Sequence, residues 1–330
     1  MESVMAKLLI LEANPAAVAA LQSLQGEGHE ISFDSRNISD VDLNKHKGSE
    51  LLSVFVFSKV SRDIIASLPN LGFIVTRSAG FDHIDIEAAS ERGIVVSNVP
   101  GYGNLPVAEH VFALLLALLR RIVTADSAVR AARWPSQELQ GKLINGKTFG
   151  LIGTGAIGAN VAKIARAFGA TVIAYDVIKR PELEAAEVLK YVSLDEVLEG
   201  SDIISLHVPL LKETHHIINE SSISKMKDGA ILINTSRGAV VDQKALTLAL
   251  QSGKLFGAGL DVLEKEPPEP DDPLLKLDNV VLSPHIAWYT DYSENYILQL
   301  TIKNINAYLG GKPQNVVNLQ LLKNLGKIST

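Results

Sequence analysis

The 330-residue chain contains no cysteine, which excludes disulfides, thiolate metal sites, iron–sulfur clusters and cysteine nucleophiles together. Any chemistry must use other groups, and no metal site is expected. A surplus of positive charge is missing too: 31 Lys and Arg stand against 37 Asp and Glu, a formal net charge of -6. No net field draws such a chain to nucleic acid or anionic lipid. Long apolar runs are also absent. The longest uninterrupted one, Val111 to Leu119, is bounded by His110 and Arg120 and reaches about half of the roughly 20 residues that span a bilayer. Met1 to Ala13 carries Glu2, Lys7 and Glu12 and is too charged for a secretory leader. A cytoplasmic protein is expected, with neither nucleic acid nor membrane as partner. Internal repeats and low-complexity tracts are lacking.

What is present reads as a folded enzyme-sized chain. Apolar residues make up 47% and charged residues 21%, close to the globular norm. The length is more than twice the usual single-domain size of about 150 residues, so two cores are expected. Short runs rich in Val, Ile and Leu recur at Lys7 to Leu11, Leu51 to Phe57, Gly72 to Arg77 and Ile94 to Ser97. Continuous apolarity is what a parallel sheet covered on both faces requires. Helical stretches, Ala16 to Gly26 and Ile84 to Arg92, lie between them. Pro100, Gly101, Gly103 and Pro106 then mark a loop and a crossing between domains. One long helix is expected over Val107 to Trp134, apolar nearly all round in its first half, and so buried either in a core or in a subunit interface. Six further strand runs follow: Phe149 to Gly153, Thr171 to Asp176, Asp202 to Val208, Ala230 to Thr235, Gly257 to Val262 and Val280 to Ser283. They suit a doubly wound sheet. Glu264 to Pro273 reads as a surface loop, and a helix over Ser293 to Leu309 precedes a tail.

The sharpest local signal is Gly153-Thr154-Gly155-Ala156-Ile157-Gly158. It follows an apolar strand run and opens a helical stretch, the context a dinucleotide-binding turn requires. The first glycine permits the tight turn, the second lets backbone amides approach a pyrophosphate, and the third lets helix and strand pack closely. Asp176 ends the next strand, where a carboxylate accepts hydrogen bonds from the adenosine ribose. That favours NAD over NADP, although Lys179 and Arg180 lie just beyond and leave the strictness of the choice open. Because the motif begins at residue 153, a whole domain precedes it. Two βα domains are expected, with the cofactor on the second and a substrate clamped against the first.

Seven ordered segments then carry a family likeness: Arg77-Ser78-Ala79-Gly80-Phe81-Asp82, Asn98 to Glu109, the glycine motif, His207-Val208-Pro209, Asn234-Thr235-Ser236-Arg237-Gly238, Gly259-Leu260-Asp261-Val262 and Ser283-Pro284-His285-Ile286-Ala287. Over nearly its whole length the chain resembles the D-isomer-specific 2-hydroxyacid dehydrogenases. The likeness implies an α/β fold with two domains, a Rossmann-type doubly wound NAD domain (102–287) inserted in a smaller flavodoxin-like substrate domain (1–101 and 288–330). It also implies NAD-dependent, reversible reduction of a small 2-keto acid to the D-2-hydroxy acid by hydride transfer. Arg237 resembles the arginine that holds the substrate carboxylate, for which guanidinium is well suited; the alternative on residue type alone is a surface arginine capping a loop. His285 resembles the general acid and base, a role histidine fits near neutral pH. Glu266 resembles the carboxylate that orients it. Spacing alone does not choose among Glu264, Glu266, Glu269, Asp271 and Asp272.

By the same likeness, Ala79 and Gly80 supply backbone amides to the substrate carboxylate. The cofactor contacts comprise Gly153, Thr154, Gly155, Ala156, Ile157, Gly158, Asp176, His207, Val208, Pro209, Thr214, Thr235, Ser236, Arg237, Asp261 and His285. Tyr102, Trp288 and Tyr289, with Arg237 and His285, complete the substrate contacts. Large aromatics at these positions occur in the D-lactate dehydrogenase branch, so pyruvate is the expected substrate, with glyoxylate or hydroxypyruvate as the alternative. Glutamate at 266 argues against formate dehydrogenases, and the short C-terminal segment against regulated phosphoglycerate dehydrogenases. An NADH-sensing interaction protein on the same fold is the reading from another class. A homodimer formed through the NAD domain is expected.

Overall fold

A computed structural model describes residues 5–327; the first four residues, which begin the N-terminal segment weighed above, and the last three lie outside the described residues. The chain forms two compact units, one running up to Tyr102 and resuming at Thr290, the other spanning Gly103–Tyr289. These borders lie one and two residues beyond the expected ones. Tyr102 stays with the first unit because its carbonyl accepts the Ser293 hydroxyl at 3.1 Å. Tyr289 stays with the second because its N–H donates to the Ile286 carbonyl at 2.8 Å.

The first unit holds β1 (Lys7–Ile10), β2 (Glu30–Phe33), β3 (Leu51–Val54), β4 (Phe73–Thr76) and β5 (Val95–Ser97). They pair in parallel in the order β2-β1-β3-β4-β5, the flavodoxin-like doubly wound arrangement. Strands β3, β4 and β5 are buried along their whole length, which explains why all but one residue of each is apolar. β2 was not anticipated: it is a half-exposed edge strand that mixes Glu30 and Ser32 with Ile31 and Phe33 and so lacks that signature. Helices α1 (Pro15–Leu21), α2 (Arg62–Ser67) and α3 (Ile86–Glu91) begin at Asn14, Ser61 and Asp85, whose side chains accept first-turn N–H groups, each worth about 1 kcal/mol. The first expected helix therefore stops at Leu21 and continues as a 3-10 segment over Gln22–Glu27.

In the second unit the single expected helix over Val107 to Trp134 is two, α4 (Pro106–Leu119) and α5 (Ile122–Arg130). Between them Arg121 takes a left-handed φ of +51°. The Leu119 carbonyl accepts the Lys142 N–H at 3.0 Å, so the helix loses a carbonyl it needs to continue; no Gly or Pro announces the break. Nine of the fourteen α4 residues are buried, and Phe112 stacks on Phe149 and Phe168, so this apolar helix belongs to the core. On α5, by contrast, Ile122, Val123 and Val129 are exposed.

The remaining elements are β6 (Thr148–Ile152), α6 (Ala156–Ala167), β7 (Thr171–Tyr175), α7 (Pro181–Ala185), β8 (Lys190–Tyr191), α8 (Leu194–Gly200), β9 (Ile203–Leu206), α9 (Glu220–Lys225), β10 (Ala230–Asn234), α10 (Gln243–Gln251), β11 (Leu255–Leu260) and β12 (Val280–Leu282). The sheet is parallel throughout, in the order β12-β11-β10-β9-β6-β7-β8. This is the dinucleotide-binding topology, with the strand order reversing between β6 and β9. It has seven strands rather than six, because two-residue β8 is too short to register in hydropathy. The chain then returns to the first unit with α11 (Asp291–Leu309) and α12 (Leu319–Asn324). Tyr308 of α11 stacks on Phe73 at 4.3 Å. The expected tail is anchored: the buried Asn318 side chain accepts the Val96 N–H and donates to the Ile94 carbonyl. Among the described residues, no helix is long and apolar enough to cross a membrane.

Candidate active site

The second sheet gathers the expected cofactor and catalytic residues at the carboxyl ends of its strands, while Ala79, Gly80 and Tyr102 lie in the first unit. Gly153 follows β6, Asp176 follows β7, His207 follows β9, Thr235 to Arg237 follow β10, Asp261 follows β11, and Ser283 to His285 follow β12. Ligands of open α/β sheets bind at such carboxyl ends, beside the reversal of strand order.

The glycine turn shows why two of its positions tolerate nothing larger. Gly153 has φ +99°, and a Cβ there would lie 2.5 Å from the His207 carbonyl oxygen. At Gly158 a Cβ would lie 2.3 Å from the Gly153 carbonyl oxygen. Around Gly155, in contrast, nothing comes within 4 Å of a Cβ position. Helix α6 begins at Gly155 without a side-chain cap, whereas α8, α9 and α10 are capped by Ser193, Asn219 and Asp242. Its first-turn N–H groups and the positive end of its dipole therefore face open space, the arrangement that suits a pyrophosphate. Asp176 accepts the Thr154 N–H at 2.5 Å and hydroxyl at 3.0 Å, and the Ile178 N–H at 2.9 Å. Lys179 lies toward the Tyr191 ring, and Arg180 pairs with Glu182 at 2.8 Å. Thr235 Oγ1 is buried with no hydrogen-bond partner, a donor held in reserve at the edge where the likeness puts the nicotinamide. These features fit a bound dinucleotide.

Other expected cofactor contacts have visible structural duties. Burial pushes the His207 imidazole down to about 3, so the ring is neutral, and its Nε2 lies 2.9 Å from Ser205 Oγ. The Thr214 hydroxyl donates to the Pro209 carbonyl at 2.6 Å and accepts the Leu211 N–H at 2.8 Å, closing the loop after Val208.

Arg237 is presented by a turn that Asn234 builds. The buried Asn234 Oδ1 accepts the Ser236 N–H and hydroxyl at 3.0 and 2.9 Å, and its Nδ2 donates to the Arg237 carbonyl at 2.9 Å. The next residue must be glycine. A Cβ on Gly238 would stand 1.9 Å from the Leu263 carbonyl oxygen, so its absence lets the arginine turn press against the loop that carries Glu266.

That loop meets His285. His285 Nδ1 lies 2.7 Å from Glu266 Oε2, and Glu266 Oε1 accepts the Leu263 N–H at 3.0 Å. Burial alone would raise the Glu266 carboxyl. The hydrogen bond and charge of His285, the Leu263 N–H and the charge of Arg237 outweigh it and hold the group below the usual carboxylate range. An ionised carboxylate only accepts, so Nδ1 carries the hydrogen and Nε2 is the exchangeable position. The two side chains are 39% and 38% exposed, which leaves the ring reachable from outside. Three of the other four acids of the loop are engaged elsewhere: Glu264 with His216, Glu269 with Lys265, and Asp272 with Gln243.

Trp288 and Tyr289 follow at once, their rings 5.0 Å apart, with Tyr289 exposed. In the first unit, Ala79 and Gly80 follow β4 in a loop shaped by the Ser78 hydroxyl, which donates to the Gly80 carbonyl at 2.6 Å, and by Asn98, which donates to the Ala79 carbonyl at 2.8 Å. Tyr102 is buried there. Sequence reading missed His110, whose Nε2 lies 2.8 Å from Ser283 Oγ; nothing in the local sequence pairs positions so far apart. It also missed Val177 and Ile178, 83% and 77% exposed beside Asp176. Two apolar residues directly after a strand-ending acid were a usable signal.

A doubly wound nucleotide-binding unit, a fitting glycine turn and a histidine–carboxylate pair at the same sheet edge define a two-domain, dinucleotide-dependent oxidoreductase. The sequence profile described as D-isomer specific 2-hydroxyacid dehydrogenase, NAD binding domain, matches residues 112–287. A glyoxylate reductase from Korarchaeum cryptofilum is 42% identical over 288 residues, covering 86% of this chain and 87% of its own. A hydroxypyruvate reductase from Thermotoga maritima is 45% identical over 263 residues, 79% of this chain and 85% of that protein. Among solved structures, D-lactate dehydrogenase from Aquifex aeolicus, complexed with NAD and lactic acid, superposes with a TM-score of 0.86 at 40% identity and covers 96% of this chain and 98% of its own. The chain belongs to the D-isomer-specific 2-hydroxyacid dehydrogenase family, and its cofactor is NAD.

Proposed function

We propose that the protein reduces a small 2-keto acid, pyruvate first, to the D-2-hydroxy acid, with His285, Glu266 and Arg237 as its working groups. The observation that carries this reading is the 2.7 Å His285–Glu266 pair, set at the sheet edge that also bears Arg237. When bound beside these residues, the nicotinamide cofactor would supply the hydride for reduction and would accept it in the reverse direction. Arg237 binds the substrate carboxylate as a bidentate pair and so orients the carbonyl. His285 gives the proton on Nε2 to the keto oxygen and recovers it on oxidation. Glu266 holds the ring through Nδ1 and stabilises its charged form. Ala79 and Gly80 are assigned to the carboxylate through their amides, and Asp176 to the adenosine ribose, where it disfavours a 2′-phosphate.

Pyruvate rests on Trp288 and Tyr289, large rings directly after the histidine turn that narrow the space for a substrate side chain. A second reading, glyoxylate or hydroxypyruvate, is favoured by the names of the relatives above. Purified protein with NADH and each of the three acids tests both: loss of NADH absorbance is expected with at least one, and pyruvate is expected to give the highest kcat/KM. No turnover across a broad 2-keto acid panel would overturn the reading. A cytoplasmic homodimer is proposed as well, joined through the second unit. Its support is the exposed apolar row Ile122, Val123 and Val129 on α5, with Trp134 80% exposed nearby, more than isolated surface residues account for. A dimeric mass in light scattering is expected, falling to the monomer in Val123→Glu.

A further inference from the structure

Asp261 does more than its assigned cofactor contact requires. Its side chain is 1% exposed, and three of the roughly four acceptor positions of a carboxylate are already used inside the protein. Oδ1 accepts the Ser283 hydroxyl at 2.5 Å and the Ile286 N–H at 2.9 Å, while Oδ2 accepts the Ala287 N–H at 2.8 Å. Its main-chain carbonyl takes the His285 N–H at 2.8 Å. One residue therefore gathers the N–H groups of three successive residues, 285 to 287. The chain must reverse sharply to deliver them, and His285 sits at φ +55°, a left-handed conformation that a non-glycine residue keeps only when its surroundings impose it.

The carboxylate is in turn held from the far side. The Ser283 hydroxyl has one hydrogen, which goes to Asp261, so Ser283 Oγ is the acceptor toward His110 Nε2 at 2.8 Å. His110 stands in the first turns of α4, and its Nε2 is 3.6 Å from Asp261 Oδ1. A chain of hydrogen bonds runs from α4 to the catalytic turn: His110 donates to Ser283, Ser283 donates to the Asp261 carboxylate, and Asp261 accepts the Ile286 and Ala287 N–H groups on that carboxylate and the His285 N–H on its main-chain carbonyl. We propose that His110 and Ser283 are positioning residues for His285, fixing the Asp261 carboxylate so that it holds the left-handed turn in the one register that presents Nε2 outward and Nδ1 to Glu266. Neither residue reaches the reacting atoms; both act through the turn.

The proposal rests on the reading of His285 as the acid–base group, and the test separates the two. In Ser283→Ala and His110→Phe, kcat for keto-acid reduction is expected to fall on the order of 10-fold, since small misplacements of a reacting group are costly. The KM for the keto acid and the Kd for NADH, read by fluorescence titration, should change by less than about twofold. Ser283→Thr keeps the hydroxyl and His110→Gln keeps a donating N–H, and each is expected to restore most of the loss. In amide spectra of the full chain, the Ile286 and Ala287 resonances should move in Ser283→Ala and His110→Phe and stay in place in the two conservative variants. A lower melting temperature with unchanged kcat and unchanged Ile286 and Ala287 resonances would overturn the proposal, as would equal losses in His110→Gln and His110→Phe. Should Ser283→Ala not fold, His110→Phe carries the test, because that ring is partly exposed on α4. If His285→Ala is inactive while Ser283→Ala and His110→Phe keep wild-type kcat, the positioning role alone fails. If His285→Ala turns over normally, the acid–base reading fails and takes this proposal with it.

Discussion

Two histidine–glutamate pairs are built on one loop of the second unit, His285 with Glu266 and His216 with Glu264. Their side chains are similarly exposed, 39% and 38% in the first pair and 33% and 34% in the second, and both histidines have positive φ. Contact, exposure and backbone strain therefore do not tell a reactive pair from a structural one. What separates them is the use made of the surrounding groups. Glu266 sits in the field of Arg237 and is fixed by the Leu263 N–H, while His285 stands on a turn organised by Asp261 at the end of β12. The His216 ring is stacked on His215 at 4.0 Å. The His216 main-chain N–H donates to the Ala239 carbonyl, and its main-chain carbonyl accepts Asn219 Nδ2. The second pair ties the acidic loop to the segment after Arg237, so it acts as a brace beside the first.

The comparison breaks most directly at His285. His285→Ala should lower turnover by about 10³-fold, the usual worth of a positioned acid–base group, with NADH binding retained. Comparable turnover in this variant would show that the pair at β12 has no more chemistry in it than the brace.

A smaller and more diagnostic effect is expected at Glu266→Gln, where turnover should fall on the order of 10-fold to 100-fold. Because the folded protein holds the Glu266 carboxyl below its ordinary range, the unfolded chain binds its proton more readily. The pair's stabilisation is therefore complete above the ordinary carboxylate range and is lost as pH falls through the lowered value. Glutamine removes that acid-side dependence of the melting temperature. It also withdraws the carboxylate that holds the ring through Nδ1, so the pH profile of reduction should change. An unchanged pH profile would mean that another acid of the loop orients His285.

How far these differences can be read from sequence depends on where the determining contacts lie. The buried strands announce themselves because β3, β4, β9 and β10 are buried throughout and each carries a single polar residue among apolar ones, and the glycine turn does so because its steric demands are local. The helix break at Arg121 was invisible, since it follows from a carbonyl claimed by Lys142 some twenty residues on. In the site, the family likeness pointed to Arg237, Glu266 and His285, but spacing alone left five acids of one loop equivalent, and it is the fold that brings Glu266 to His285. The support around Asp261 was hidden for the same reason: His110 and Ser283 lie 173 positions apart in the chain and meet only because α4 packs across β11 and β12.

The smallest expected effect is at the brace itself. In His216→Gln an amide replaces the ring, can still donate to Glu264, and gives up only the stacking on His215. A pair about one-third exposed is worth no more than about 1 kcal/mol, so the melting temperature should drop only slightly. The kcat should remain within about twofold of wild type, because no atom of this pair is asked to exchange a proton with substrate. Its pH profile should stay as in wild type, in contrast to Glu266→Gln. A changed profile in His216→Gln would show that the brace tunes the reactive pair through the shared loop, and the two pairs would then have to be treated as one coupled unit.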